Sequence, residues 1–270
     1  TEITLKAYHE EINQMIEAGR TALAINHCLH ILARFPKSAK TYRLLGSAYL
    51  GENRYQEAKD IFLRLLSVFP DDVVGHIGVS VIHEVDQDLV GAIYHMERAY
   101  EIQPANQVLQ TELKRLYGMR DGFEPTRVMT TTGALARMYS NGKLYTQAIS
   151  ELRSAIKSDP NRVDLMVLLA QVYRQLGNEI EARNICNMIL EVLPYCFEAN
   201  RIQAERISRS GKSEVFNPYL EKILEIDPDY LVLRSKMEPD GGEYHLTVIQ
   251  RLELDPHLSP TTPIVDKVTG

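Results

Sequence analysis

The chain has 270 residues, of which 44% are hydrophobic and 24% charged, and a formal net charge of -6 at neutral pH. That composition carries a large folded core and excludes a wholly disordered chain, the negative charge argues against nucleic acid as the partner, and no apolar run approaches the roughly 18 residues of a membrane span. Three cysteines, Cys28, Cys186 and Cys196, lack metal-ligand spacing, and their odd number speaks against a disulfide framework, so the expectation is a soluble protein of the reducing cytoplasm.

Proline punctuates the chain at a fixed step. Pro36, Pro70 and Pro104 lie 34 residues apart, as do Pro160, Pro194 and Pro228. The first unit, from Leu5, keeps Ala24 and Pro36 but little other pattern. The second, Ala39 to Asp72, is the clearest: Tyr42, Leu45 and Tyr49 recur at helical spacing, and Phe62 and Leu65 give a second helix its own stripe. Gly46 and Ala58 are small where the two helices should approach most closely, and Pro70 ends the pair. The third unit, from Val73, carries Ala92, Ala99 and Pro104, with His76 and His83 in aromatic slots.

From Pro104 to Pro160 is 56 residues, one period plus 22. A single helix is legible over Gln107–Tyr117, followed by Gly118, Gly122 and Pro125, which predict a loop over 118–128. A helix of 11 residues is roughly 16 Å long, and a loop of that length spans up to roughly 35 Å, so it can run back along the helix. Regular units resume from Met129 (Leu135, Ala136, Tyr139, Ala148, Leu152, Pro160) and Val163 (Leu169, Ala170, Tyr173, Gly177, Ala182, Pro194), and a weaker one starts at Phe197, with Phe216 where a small residue is expected. The expected organisation is a block over 5–117, a loop over 118–128, a block over 129–228, and a cap and tail over 229–270. Within the last of these, Tyr244–Leu252 is a capping helix, a docked strand or a mobile arm, the capping helix being the first choice.

Aromatic, Leu-Gly, Tyr, Ala, Phe and closing Pro in a 34-residue unit resemble the tetratricopeptide repeat. The resemblance implies an all-α fold, a right-handed superhelical stack of antiparallel helix pairs with six full repeats and one incomplete. It also implies a noncatalytic interaction scaffold, without cofactor, that binds a segment of another protein in a concave groove lined by the first helices. Carried over position by position, the groove is Lys40, Arg43, Val74, Ile77, Val81, Arg115, Arg137, Gln171, Arg174, Arg201 and Arg209, with Lys6, His9, Asn13, Ser47 and Glu205 beside them. Recurrent arginine points to an extended or acidic segment; alternatively these arginines pair with neighbouring carboxylates such as Asp164 and Glu198. The clamp by which some relatives hold a chaperone's C-terminal carboxylate is absent, since Leu44, Val74 and Gly78 stand where it needs amide and cationic side chains.

Enzymatic signals are poor. No phosphate loop, zinc-protease helix or nucleophile elbow is present. His27 and His30 are spaced to share a metal on one helix face or to be ordinary packed histidines, and His76 and His83 read as core residues. Two alternatives to the groove stay open: an assembly-organising region whose C-terminal tail docks on its own or a neighbouring chain, giving a homo-oligomer, and an enzyme with acids converging in the groove.

Overall fold

The structure, a computed structural model, describes residues 1–209, 217–237 and 244–253. Fourteen α-helices follow one another among them: α1 (Leu5–Glu17), α2 (Thr21–Arg34), α3 (Ala39–Gly51), α4 (Tyr55–Val68), α5 (Val73–Val85), α6 (Leu89–Ile102), α7 (Gln107–Asp121), α8 (Thr132–Asn141), α9 (Tyr145–Ser158), α10 (Val163–Gln175), α11 (Glu179–Val192), α12 (Phe197–Arg209), α13 (Pro218–Ile226) and α14 (Tyr230–Met237). Two short strands, β1 (Glu2–Thr4) and β2 (Val248–Gln250), pair antiparallel. The architecture is an all-α stack of consecutive helix pairs. No helix of the described residues is long and apolar enough to cross a membrane.

The 34-residue period reappears in the backbone. Gly19, Asn53 and Gln87, and then Lys143 and Gly177, occupy the left-handed region at the turn inside each pair, with φ between 57° and 79°. Each such turn closes on the last carbonyls of the preceding helix, as Arg54 N–H does on Tyr49 and Asp88 N–H on His83. Packing follows the small-residue positions. Phe62, fully buried on α4, sits between Gly46 of α3 and Gly78 of α5, where an added Cβ would come within 2.6 Å and 2.2 Å of its ring. Three helices thus meet at one aromatic ring, and the apolar core continues along the stack from there.

At the interruption the helix runs further than its sequence suggests. α7 continues through Gly118 to Asp121 and ends at Gly122, which takes a left-handed φ of 80°. Gly118 is tolerated there because the returning chain needs the space: an added Cβ would lie 2.6 Å from Glu124 Cγ. Lys114 donates to the Thr126 carbonyl at 2.7 Å, so the connection does fold back along α7. α8 then packs on α6, leaving α7 without a second helix of its own.

The tail also differs from its first reading. Instead of a capping helix, residues 248–250 form the strand β2, hydrogen-bonded to β1 beside α1, and the helix that follows Pro228 is α14. The stack thereby closes on itself. Ile226 and Ile249 belong to the same core cluster as α1–α5, Phe69 stacks on Phe197 at 5.0 Å between centroids, and Lys37 Nζ donates to Tyr195 and to Glu225. Lys40 pairs with Asp227 at 3.3 Å. Phe216 lies outside the described residues.

Candidate functional site

The residues expected to line a groove lie on α3, α5, α7, α8, α10 and α12, and ion pairs join several of these helices across 31 residues of sequence. The structure gives nearly every cation there a partner. Arg43 Nε donates to Asp72 at 2.5 Å and its guanidinium lies over Phe69. Arg115 bridges Glu84 at 2.6 Å and Glu112 at 2.5 Å. Arg137 faces Asp71 at 3.9 Å, Arg174 binds Glu205, and Arg201 holds Glu198 at 2.5 Å and the other oxygen of Glu205. Lys40 faces Asp227 across the closure, and Gln171 is half-buried on α10. The side chain of Arg209 lies outside the described residues. Of the two carboxylates singled out as alternative partners, Glu198 does pair with Arg201, whereas Asp164 pairs with Arg162.

Exposed apolar side chains occur among these positions on α5, and Val108, one period after Val74 on α7, is exposed as well. Val74 and Val81 are 42% and 38% exposed, Val85 one turn further is 48% exposed, and Ile77 between them is half-buried against the core of α6 and α7. Positions 74, 77, 81 and 85 fall on one side of a helix, so they form a single apolar stripe. Its flanking charges are the ion pairs of Arg43 and Arg115.

Sequence reasoning missed a buried network that joins α6 to the start of α10. Arg162, just ahead of α10, donates to both oxygens of Asp164 at 2.8 and 2.7 Å and to Glu101 of α6, which also faces Arg98. All four side chains are buried. Burial opposes ionisation of Asp164, yet the Arg162 hydrogen bonds and charge bring its carboxyl below the usual range. Asp71, with only a distant arginine, goes the other way: burial pushes it up. Glu101 belongs to a second helix and Arg162 to a connection, so neither carries a groove signature.

The histidines are used in hydrogen bonds. His76 Nε2 faces the Pro70 carbonyl at 3.0 Å and therefore donates, which leaves its Nδ1 to accept from His95 Nδ1 at 3.0 Å. Burial holds both below the normal range, His95 at about 3, with His76 and His83 adding to the effect. His83 turns to Asp88 at 2.8 Å. His27 Nδ1 accepts from Tyr8 Oη at 2.7 Å, and His30 Nε2 donates to the Gln250 carbonyl at 2.7 Å. No group of three metal-ligand side chains occurs among the described residues. The cysteines are free and buried, burial pushing the Cys186 and Cys196 thiols up to about 12 and raising Cys28 as well. At the interruption, an open cavity of about 320 Å³ lies between α6, α7 and the returning loop, bordered by Tyr117, Phe123 and Met129.

Residues 15–76 and 143–205 match a tetratricopeptide repeat family model. A search of curated proteins found no significant match. Among solved structures, the APC/C hetero-tetramer Cut9-Hcn1 is similar at 16% identity over 87% of this chain and 49% of that one, with a TM-score of 0.39. YrrB, described as having an unusual peptide-binding site, is similar at 18% identity over 72% of this chain and 89% of its own, with a TM-score of 0.37. Naa15/Naa10 bound to HypK gives 14% identity over 87% and 42%, with a TM-score of 0.39. The chain thus spans about half the length of the first of these.

Proposed function

This chain is a tetratricopeptide-repeat protein, and we propose that it is a noncatalytic scaffold of the cytoplasm that holds an extended segment of another protein against the inner face of its helical stack. The observation that carries this reading is the α5 stripe of Val74, Ile77, Val81 and Val85, an exposed apolar strip flanked by the ion pairs of Arg43 and Arg115. Alternate side chains of an extended segment would rest on the valines. Its carboxylates would compete for Arg115, whose pairs with Glu84 and Glu112 are partly solvated; such pairs are worth roughly 0–1 kcal/mol each, so exchanging one carboxylate for another costs little. Arg137, Arg174 and Arg201 extend the same line of cations towards the last repeats. The absence of catalysis is proposed because the inner-face acids Asp72, Glu84, Glu198 and Glu205 are engaged by arginine, and the cytoplasm because the buried thiols are unpaired.

Selection from a random peptide display library tests it. The reading expects enriched peptides with apolar residues at alternate positions beside Asp or Glu, and loss of that enrichment on Val81→Asp protein. Enrichment of basic peptides, or the same peptides on both proteins, would overturn it. The tail-docking alternative is favoured by one observation of its own, the strand β2.

A further inference from the structure

The segment 244–253 is held like a ligand. Its backbone continues the ladder of β1, with Leu5 N–H donating to the Thr247 carbonyl at 2.8 Å, Ile3 opposite Ile249, and Arg251 N–H donating to the Thr1 carbonyl at 2.9 Å. Side chains of the first helix pair read it further. Tyr8 Oη accepts from Leu252 N–H at 3.0 Å while donating to His27, His30 donates to the Gln250 carbonyl at 2.7 Å, and Glu11 accepts from Arg251 at 2.9 Å. Ile249 is buried in the core of α1–α5, whereas Val248 and Gln250 on either side of it are exposed.

These contacts divide into two kinds. The backbone bonds accept any extended chain, and selectivity comes chiefly from an aliphatic side chain at 249, the one that is buried, and an arginine at 251, paired with Glu11. This is strand addition, in which main-chain pairing gives affinity and alternate side-chain positions give specificity. The hold is modest: one buried side chain, and at the surface the ion pairs of Arg251 with Glu11 and of Glu253 with the Thr1 ammonium together with the Gln250–Glu2 hydrogen bond. The connection to the helices, residues 238–243, reads Glu-Pro-Asp-Gly-Gly-Glu, a tether that gives the segment a high local concentration and without which it would bind only by these contacts.

We propose that β1 and the first helix pair form a second protein-binding site, separate from the α5 stripe, which accepts an extended strand of a partner protein carrying an aliphatic β-branched residue followed two positions later by arginine. Segment 244–253 is its resident occupant, and a partner strand of the same pattern displaces it. Val248 is exposed and makes no side-chain contact that selects it, so the partner's residue at that position is free to vary, whereas Gln250 Nε2 donates to Glu2 at 3.1 Å in an exposed and therefore secondary contact.

The test uses the full chain with Ile249→Asp, which unseats the resident segment, and a fluorescently labelled peptide of residues 244–253 followed by anisotropy. Saturable binding to the variant, at least tenfold weaker binding to the unmutated chain, and at least a tenfold loss when the peptide carries Arg251→Ala are expected. Should Ile249→Asp not fold, Arg251→Glu in the full chain, repelled by Glu11, serves the same purpose. No saturable binding to a folded variant would overturn the proposal, as would equal binding to the unmutated chain. A dimer of the unmutated chain that Ile249→Asp abolishes would assign the site to a second copy and overturn the partner assignment. Val81→Asp is expected to leave this binding unchanged, which keeps failure here distinct from failure of the groove reading.

Discussion

At position 62 one phenylalanine ring fills the space that two glycines leave on the neighbouring helices. Gly78→Ala adds a methyl group against that ring, and overpacking of about 1–3 kcal/mol should outweigh the gain of about 1 kcal/mol in helix propensity. The urea midpoint is expected to fall, and Phe62→Leu in the same chain to restore part of it. The turns offer the opposite case. Gln87 and Lys143 adopt the left-handed conformation that Gly19 and Gly177 adopt at equivalent places, so Gln87→Gly and Lys143→Gly should each stabilise the protein by about 0.5–1 kcal/mol in thermal or urea unfolding. Histidine protonation sets the acid limit. His95 is held at about 3 in the folded chain by burial, with His76 and His83 from α5, Arg98 from its own helix and Lys59 from α4 all repelling a proton. Because the unfolded chain binds that proton near pH 6.5 and the folded chain does not, stability is full above that pH and falls as the pH drops towards 3. Roughly 1–2 kcal/mol should be lost from this group between pH 6.5 and 5, and His95→Leu should flatten that slope in urea titrations at the two pH values.

Helix pairs are the scale at which the sequence is most readable. The period and the Leu-Gly and Ala positions place the helices, because each of those features is local to one pair and repeats. α7 shows the limit: Gly118 looked like a breaker, yet it serves a close approach of Glu124 that only the folded loop creates. Of the arginines' partners, Glu198 beside Arg201 was legible because it lies one turn away on the same helix, whereas Arg115 to Glu84 and Arg174 to Glu205 each span 31 residues and were not. Of the network of Arg98, Glu101, Arg162 and Asp164 only Asp164 was legible, as a partner for some arginine, because the network joins a second helix to a connection. It carries a prediction. Arg162→Ala leaves two buried carboxylates facing each other and should cost about 3–5 kcal/mol, whereas Arg64→Ala on the surface of α4 should cost about 0.5 kcal/mol or less in the same unfolding assay.

The whole molecule is shaped by contacts that no local pattern announces. The last repeats return to the first through Lys37, Lys40, Phe69 and β2, a closure that the sequence left open among a cap, a strand and an arm. Reversing two of its charges with Lys37→Glu and Lys40→Glu sets them against Glu225 and Asp227. X-ray scattering should then report a larger radius of gyration than the unmutated chain, for which about 18 Å is expected of a compact protein of this length, while the helical circular dichroism stays the same. An unchanged radius would mean that the apolar contacts alone hold the ends together. The proposed function places the binding capacity on the α5 stripe, and titration calorimetry of a library-selected peptide against unmutated and Val81→Asp protein addresses that directly: the proposal predicts at least a tenfold loss of affinity with an unaltered melting temperature, and equal affinity for the two proteins would contradict it.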